Sequence, residues 1–489
     1  MTNRSSFVSR IAARTLVAVA ISIGSLFAQT PDRSKPPELG KPAPLKLPAI
    51  EHFTLSNGLP VVMMEKHSVP LVQINLLVNT GSAMDPDRKS GLASLTAAML
   101  DEGAGSRSAL ELADAIDYLG ASITASAGQH TSVVALHTPV SKLDSALSLM
   151  GDIAMRPSFP EEELERLRKE RLTALAQWHD QPGTIAWVAF NQTLYGTHHP
   201  YGVPSMGNEQ SLRSFRVDDL KRFYKSYYHP INATLIVVGD VSPSVMRKKL
   251  EAVFGKWSGG TTASVNWPDV EQVEKRVVFL VDKPGAAQSE IRIGRIGVSR
   301  TTEDYFPIVV MNTILGGSFT SRLNQNLRET HGYTYGARSR FDMRPLPGPF
   351  VASAAVQTNV TDKALTEFMN ELQGILKRVS DTELTRAKNY VALGYPDNFE
   401  SVESIASMLA ELVTYRLPDS YFNTYVGKVL NVTADDVMRV AKRYIDPKKM
   451  AVIVVGDRKE IEKGIRKLNL GTIQDMTVQD VLGKPPKVE

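Results

Sequence analysis

The chain has no cysteine among its 489 residues, which excludes disulfides, a thiolate metal site and a lipid-attachment cysteine. Its stability therefore rests on burial, and a chain of this length has room for two or more domains with cores of their own. It also lacks an excess of either charge, with 56 basic against 52 acidic residues. Loss of Arg4, Arg10 and Arg14 with the first residues would bring the two counts to within one. Such a balance gives no reason to expect nucleic acid or an anionic membrane as partner. Paired histidines are missing too. None of His52, His67, His130, His137, His179, His198, His199, His229 and His331 has another histidine three or four residues away, so no helix offers two imidazoles to a metal ion on one face. The Gly-x-Ser-x-Gly turn of hydrolytic serines is likewise absent.

Of what is present, the start is the most directional. Arg4, Arg10 and Arg14 precede the uncharged apolar stretch Thr15 to Ala28, the layout of a secretory signal and too short to span a bilayer comfortably. Residues 1–28 are read as a signal peptide and the mature chain as exported, most naturally periplasmic; an uncleaved start would leave it membrane-anchored. After signal removal nothing else calls for a membrane, because no later run is apolar for long enough to span. Residues 29–48 form a Pro-rich tether, TPDRSKPPELGKPAPLKLP from Thr30, whose composition favours extended, solvated backbone.

Beyond it the chain repeats itself. VDDLKRFYKSYYHPINATLIVVGD, from Val217 to Asp240, aligns without gaps on ADDVMRVAKRYIDPKKMAVIVVGD, from Ala434 to Asp457, at a constant offset of 217 residues. In each copy an acidic pair opens an amphipathic helix, a proline ends it and a buried strand runs into Gly-Asp. A looser match pairs EEELERLRKERLTAL from Glu161 with SDTELTRAKNYVALG from Ser380. The fold class expected is α+β: a tandem repeat of two homologous domains, each a mainly antiparallel sheet with helices on one face, facing each other across a cleft. Residues 49–257 form the N-terminal domain, 258–274 an interdomain linker that opens with Ser-Gly-Gly, 275–470 the C-terminal domain and 471–489 a C-terminal tail.

Several segments carry a specific resemblance: LSNGLPVVMMEKHSVPLVQINLLVNTGS from Leu55, THHPYGVP from Thr197, YHPINATLIVVGD from Tyr228, VDKPGAAQSEIRIG from Val281 and LGGSFTSRLNQNLRETHGYTYGARSRF from Leu315. Together they resemble the pitrilysin or insulinase family of zinc peptidases (inverzincins), in its short two-domain form related to mitochondrial processing peptidase. The resemblance implies H-x-x-E-H on the helix after the first long strand. That place reads Gly91-Leu92-Ala93-Ser94-Leu95-Thr96-Ala97-Ala98-Met99, with Ser94, Ala97 and Ala98 standing where two ligands and the base would be. The third ligand, a glutamate, would fall near Thr173-Ala174. Alanine has no lone pair for zinc and accepts no proton, so a self-sufficient hydrolase of this type is excluded and no cofactor is expected in this chain.

The same resemblance implies a role for Arg328 and Tyr335, which stand seven residues apart where the zinc-less subunit of paired members lends an arginine and a tyrosine to a shared site. A fixed guanidinium and a phenol can donate to a carbonyl oxygen that gains negative charge. Read without the resemblance, Arg328 could equally pair with Glu329 and Tyr335 sit in a core. His331 and Tyr333 are expected to touch substrate, Arg338 and Arg340 lie close by, and Gly316-Gly317 either line the cleft or cap a helix. The function expected is that of the non-zinc subunit of a heterodimeric metallopeptidase, with zinc in the homologous partner and extended peptides as substrates, bound by strand addition. The alternative is a catalytically inactive, peptidase-like binding or scaffold protein.

Overall fold

Strands rich in Val, Ile and Leu assemble into two six-stranded sheets. The computed structural model describes Gly40, residues 45–260 and residues 265–487; the expected signal peptide and most of the tether lie outside the described residues. The first sheet contains β1 (Ile50–Thr54), β2 (Pro60–Glu65), β3 (Leu71–Val78), β4 (Ser122–Ala127), β5 (Ser132–Pro139) and β6 (Ala233–Gly239), ordered β1-β2-β6-β3-β5-β4. The second contains β7 (Val277–Asp282), β8 (Gln288–Ile296), β9 (Thr334–Phe341), β10 (Pro349–Gln357), β11 (Ala451–Gly456) and β12 (Thr472–Thr477), ordered β9-β10-β8-β11-β7-β12. Pairing is antiparallel except for β2 with β6, β7 with β11 and β7 with β12.

The offset of 217 residues read in one helix and strand runs through both sheets. β2 and β7 begin at Pro60 and Val277, β3 and β8 at Leu71 and Gln288, β5 and β10 at Ser132 and Pro349, and β6 and β11 end at Gly239 and Gly456. One position is filled differently in the two copies. Beside β2 lies β1, antiparallel, whereas beside β7 lies β12, parallel. Residues taken from sequence as a tail thus complete the second sheet, and the helix Val478–Leu482 that follows buries Val481. Residues 265–274 of the linker are also held: Trp267 donates to the Ala83 carbonyl at 2.9 Å and Gln272 accepts from the Ile296 N–H at 3.2 Å.

Strand alternation assigns each sheet two buried faces. In the first sheet Val61, Met63, Leu235 and Val237 point to a core filled by helices of the same half, including Leu143–Met155 and Pro243–Phe254. Val62, Met64, Ile236 and Val238 point the other way, onto the helix Val402–Tyr415 from the second half. The reciprocal holds for the second sheet. Val281, Val351, Ile453 and Val455 pack on the helix Pro182–Tyr195 from the first half, through Ile185, Val188, Ala189 and Phe190. The helices foreseen on one face of each sheet are there, and each opposite face is roofed by a helix exchanged between the halves. The sequence Pro-Gly-Thr-Ile-Ala-Trp-Val-Ala-Phe suits this burial, being apolar nearly all round, with proline in the first turn and Gly196, at φ 72°, ending the helix.

Where the halves meet, an aromatic cluster closes the seam. His130 Nε2 lies 2.5 Å from the Tyr201 hydroxyl, Tyr195 stacks on His199, and the Arg344 guanidinium sits 4.5 Å from the Tyr201 ring centroid. Burial, then the charge of Arg344, pushes the His130 imidazole down to about 4. A histidine held neutral in the fold binds its proton more readily once unfolded. Its contribution is therefore complete above about pH 6.5 and is lost as pH falls toward 4, by at most about 3 kcal/mol. Urea denaturation across that range should show stability falling with acidity, and His130→Gln should flatten the profile; an unchanged slope in the variant would refute the assignment to His130.

Candidate functional site

The helix Tyr305–Asn312 runs on into a wide π-type turn, Thr313–Gly317, and a second such turn, Gln325–Thr330, carries Arg328. Wide turns of this kind recur where a helix is bent to serve a site. The first turn presses directly on β9, since a Cβ on Gly316 would meet the Ser339 N–H nitrogen at 2.2 Å. Gly316 is thus required by close approach rather than as a left-handed helix cap, and both Gly316 and Gly317 line a cavity of about 700 Å³ beside the sheet. Two asparagines bind the outer edge of β9. Asn312 Nδ2 donates to the Ser339 carbonyl at 3.1 Å, and Asn324 Oδ1 accepts from the Ala337 N–H at 3.2 Å.

Arg328 and Tyr335 line this one cavity. Tyr335 is 91% exposed, which removes the possibility that it is a core residue. It lies in a register irregularity between Thr334 and Ala337 that frees it from regular pairing with β10. The Arg328 guanidinium is centred 4.6 Å from the Phe319 ring centroid and its Nε lies 3.4 Å from Glu329 Oε1. Both partners of that ion pair are more than a third exposed, so the contact with Glu329 does little to stabilise the fold and leaves the arginine able to turn toward a ligand. His331 and Tyr333 are not brought to this cavity. Their rings stack on each other at 4.9 Å, with Tyr333 packed against the core and His331 on a separate depression beside Glu371 and Glu383.

Several residues of the cavity went unnoticed in the sequence. Arg292 sits on β8, its Nη2 donating to the Gly183 carbonyl at 3.1 Å and its buried Nε without a hydrogen-bond partner. Burial, opposed by Glu290, lowers the proton affinity of its guanidinium. A charge within the apolar alternation Ile291-Arg292-Ile293 was the available signal. Trp187 comes from the exchanged helix of the other half, and no local pattern announces it.

The segment read from sequence as a degenerate metal motif is organised around Arg171. The helix Leu92–Ala98 begins after Gly91, whose φ of 94° and close approach to the Met206 carbonyl admit no side chain. Asp85 accepts from the Gly91 and Ala93 N–H groups, each at 2.7 Å. Burial pushes its carboxyl up to about 7 against these bonds and the attraction of Arg171. Arg171, brought down to about 10 by its own burial, donates to Ser94 Oγ at 2.9 Å, and Ser94 donates in turn to the Ser205 carbonyl at 2.6 Å. Ala97 is fully buried, and Thr173 donates to the Lys169 carbonyl of its own helix. A hydroxyl, methyl groups and a guanidinium do not make a zinc site. Among the described residues no three His, Asp or Glu side chains gather closely enough to hold a metal ion.

Fold and site together define a peptidase-like protein of tandem α+β halves with no metal-holding cluster among its described residues. The chain belongs to the insulinase family, peptidase family M16. A profile described as insulinase (peptidase family M16) matches residues 60–199, and one described as the peptidase M16 inactive domain matches residues 214–391. Among curated relatives, an uncharacterized zinc protease, YmxG, of Bacillus subtilis is 26% identical over 73% of this chain and 86% of its own length. The non-peptidase homolog YmxG of Helicobacter pylori is 20% identical over 85% and 96%. The crystal structure of a peptidase M16 inactive domain from Pseudomonas fluorescens superposes with a TM-score of 0.78 at 26% identity, covering 83% of this chain and 98% of that one.

Proposed function

We propose that this chain is the zinc-less subunit of a two-chain M16 peptidase, lending Arg328 and Tyr335 to a site whose metal ligands stand on a homologous partner. The observation that carries the reading is a division within one molecule: Arg328 and Tyr335 share a cavity, while Arg171 and Ser94 have taken over the metal position. The partner's zinc supplies the activated water; this chain supplies donors. A guanidinium and a phenol aimed at the carbonyl oxygen stabilise the charge that grows there. Neither generates a nucleophile, so the chain by itself is inert toward peptide bonds. Extended substrate has an edge strand to join at β4, whose outward N–H and C=O groups have no backbone partner among the described residues. The signal-like start, residues 1–28, supports an exported location, and no helix among the described residues is long and apolar enough to cross a membrane.

Co-expression with a zinc-bearing M16 homologue from the same cell tests the proposal. The two chains should purify as a complex, and only the complex should cleave an unfolded peptide. Cleavage by this chain alone, with stoichiometric zinc, would overturn it. A stable complex without turnover would move the chain to the scaffold reading, which the relative named as a non-peptidase homolog favours.

A further inference from the structure

The cavity that holds Arg328 and Tyr335 is unusual in its charge. Among the described residues four arginines line it, Arg292, Arg328, Arg338 and Arg340, and no carboxylate does. Three of them are organised by the sheet. Ser353 on β10 is paired with Arg338 on one side and with Arg292 on the other, which puts all three side chains on the same face in one cross-strand row. Arg338 and Arg292 are therefore two strand spacings apart, about 9–10 Å, and Arg340 follows Arg338 by one pleat repeat, about 6.8 Å. The side chains of Arg338 and Arg340 are exposed and, among the described residues, form neither a hydrogen bond nor an ion pair. Arg340 stands close enough to Arg292 to disfavour its protonation. Glu329 lies beside Arg328 and Glu290 acts on Arg292, but Arg338 and Arg340 have no such neighbour among the described residues; the like charges on this wall repel one another, and an anion relieves that repulsion when it binds.

We propose that this cavity is a carboxylate-binding site and that it selects acidic peptides. Arginine forks bond both oxygens of a carboxylate. On an extended peptide, side chains at alternate positions lie about 6.8 Å apart, the spacing of Arg338 and Arg340, so acidic residues two apart in sequence meet one arginine each. The same wall offers exposed aromatic surface, Phe319, Tyr335 and Tyr390 being 58%, 91% and 57% exposed, which suits apolar residues between the acids. A lysine-rich segment would be turned away by the same charges. The proposal rests on the reading of this cavity as part of a peptide chamber, and it adds the class of peptide taken.

The test uses the purified chain without a partner, so that a failure of turnover by the pair and a failure of this site are separate results. Fluorescence anisotropy would compare four short peptides of equal length: acidic with an amidated end, neutral with a free carboxylate end, neutral with an amidated end, and lysine-rich. The acidic peptide should bind at least about tenfold more tightly than the neutral amidated one, with the advantage shrinking as salt rises. R338Q/R340Q should abolish the advantage at unchanged melting temperature, since both side chains are exposed. An advantage confined to the free carboxylate end would still support a carboxylate site and would assign it to chain termini. Equal binding of all four, preference for the lysine-rich peptide, or an advantage that survives R338Q/R340Q would overturn the proposal.

Discussion

Replacing Arg328 by alanine is expected to lower kcat of the paired enzyme by about 100-fold or more while leaving KM within a factor of about three. A donor that acts on developing charge in a preorganised site is worth roughly 3 kcal/mol in the transition state and much less in the bound substrate. The structure gives the substitution a clean background. Arg328 contacts the exposed Phe319 and Glu329, both at the surface, so the fold should be unaffected. Tyr335→Phe, which removes one hydroxyl from a 91% exposed side chain, should show a smaller loss in the same direction. Steady-state kinetics on the purified pair decides the matter. If turnover by the Arg328→Ala pair matches that of the parent, the catalytic role is wrong, whatever the state of the complex.

The largest effect on stability is expected at Phe190. This ring is 2% exposed and lies on the exchanged helix, with its Cζ only 2.8 Å from where a Cβ on Gly294 of β8 would stand. Phe190→Ala should therefore cost about 3–5 kcal/mol, the transfer of a large ring plus the cavity it leaves. The position of the helix adds a qualitative signature. Pro182–Tyr195 belongs to the first half by sequence and to the second sheet by packing, so loosening it uncouples the two halves. Urea unfolding that is one transition in the parent should separate toward two in the variant. Tyr118→Ala, at a site 85% exposed, should lie within about 0.5 kcal/mol of the parent. A shift at Phe190 no larger than that control would show that the exchanged helix contributes little to holding the halves together.

The sequence makes the architecture legible because burial repeats. Two strands that must each be apolar on both faces, and two helices each opened by acidic residues, cannot drift far in composition, so Val217 to Asp240 and Ala434 to Asp457 still align. The exchange of helices leaves no comparable mark. Helix Pro182–Tyr195 is apolar enough to be buried, but nothing local says against which sheet. The same limit explains β12: Thr472–Thr477 has a mostly exposed, polar edge-strand composition, which reads as a tail until the partner β7 is known. At the site, the motif around Arg328 and Tyr335 is legible in the sequence and the structure brings both to one cavity, while Ser94, Ala97 and Ala98 stand out only against what the resemblance demands. Arg171 was not, since its relation to Ser94 and Asp85 spans 77 residues and more and arises only on folding. His331 and Tyr333 stand close to Arg328 in sequence, yet neither lines the cavity that holds it.

The asparagines on β9 have a consequence for how anything is held in the arginine-lined cavity. With Asn312 and Asn324 occupying the outward carbonyl of Ser339 and N–H of Ala337, and Gly316 lying close against the Ser339 nitrogen, a guest chain meets an edge already partly occupied there. A backbone ladder grips every peptide alike, whereas an edge partly taken up by the chain's own side chains gives side-chain chemistry more weight in deciding what stays. The two asparagines thereby shift this wall from a general handrail toward a lock that tests the key.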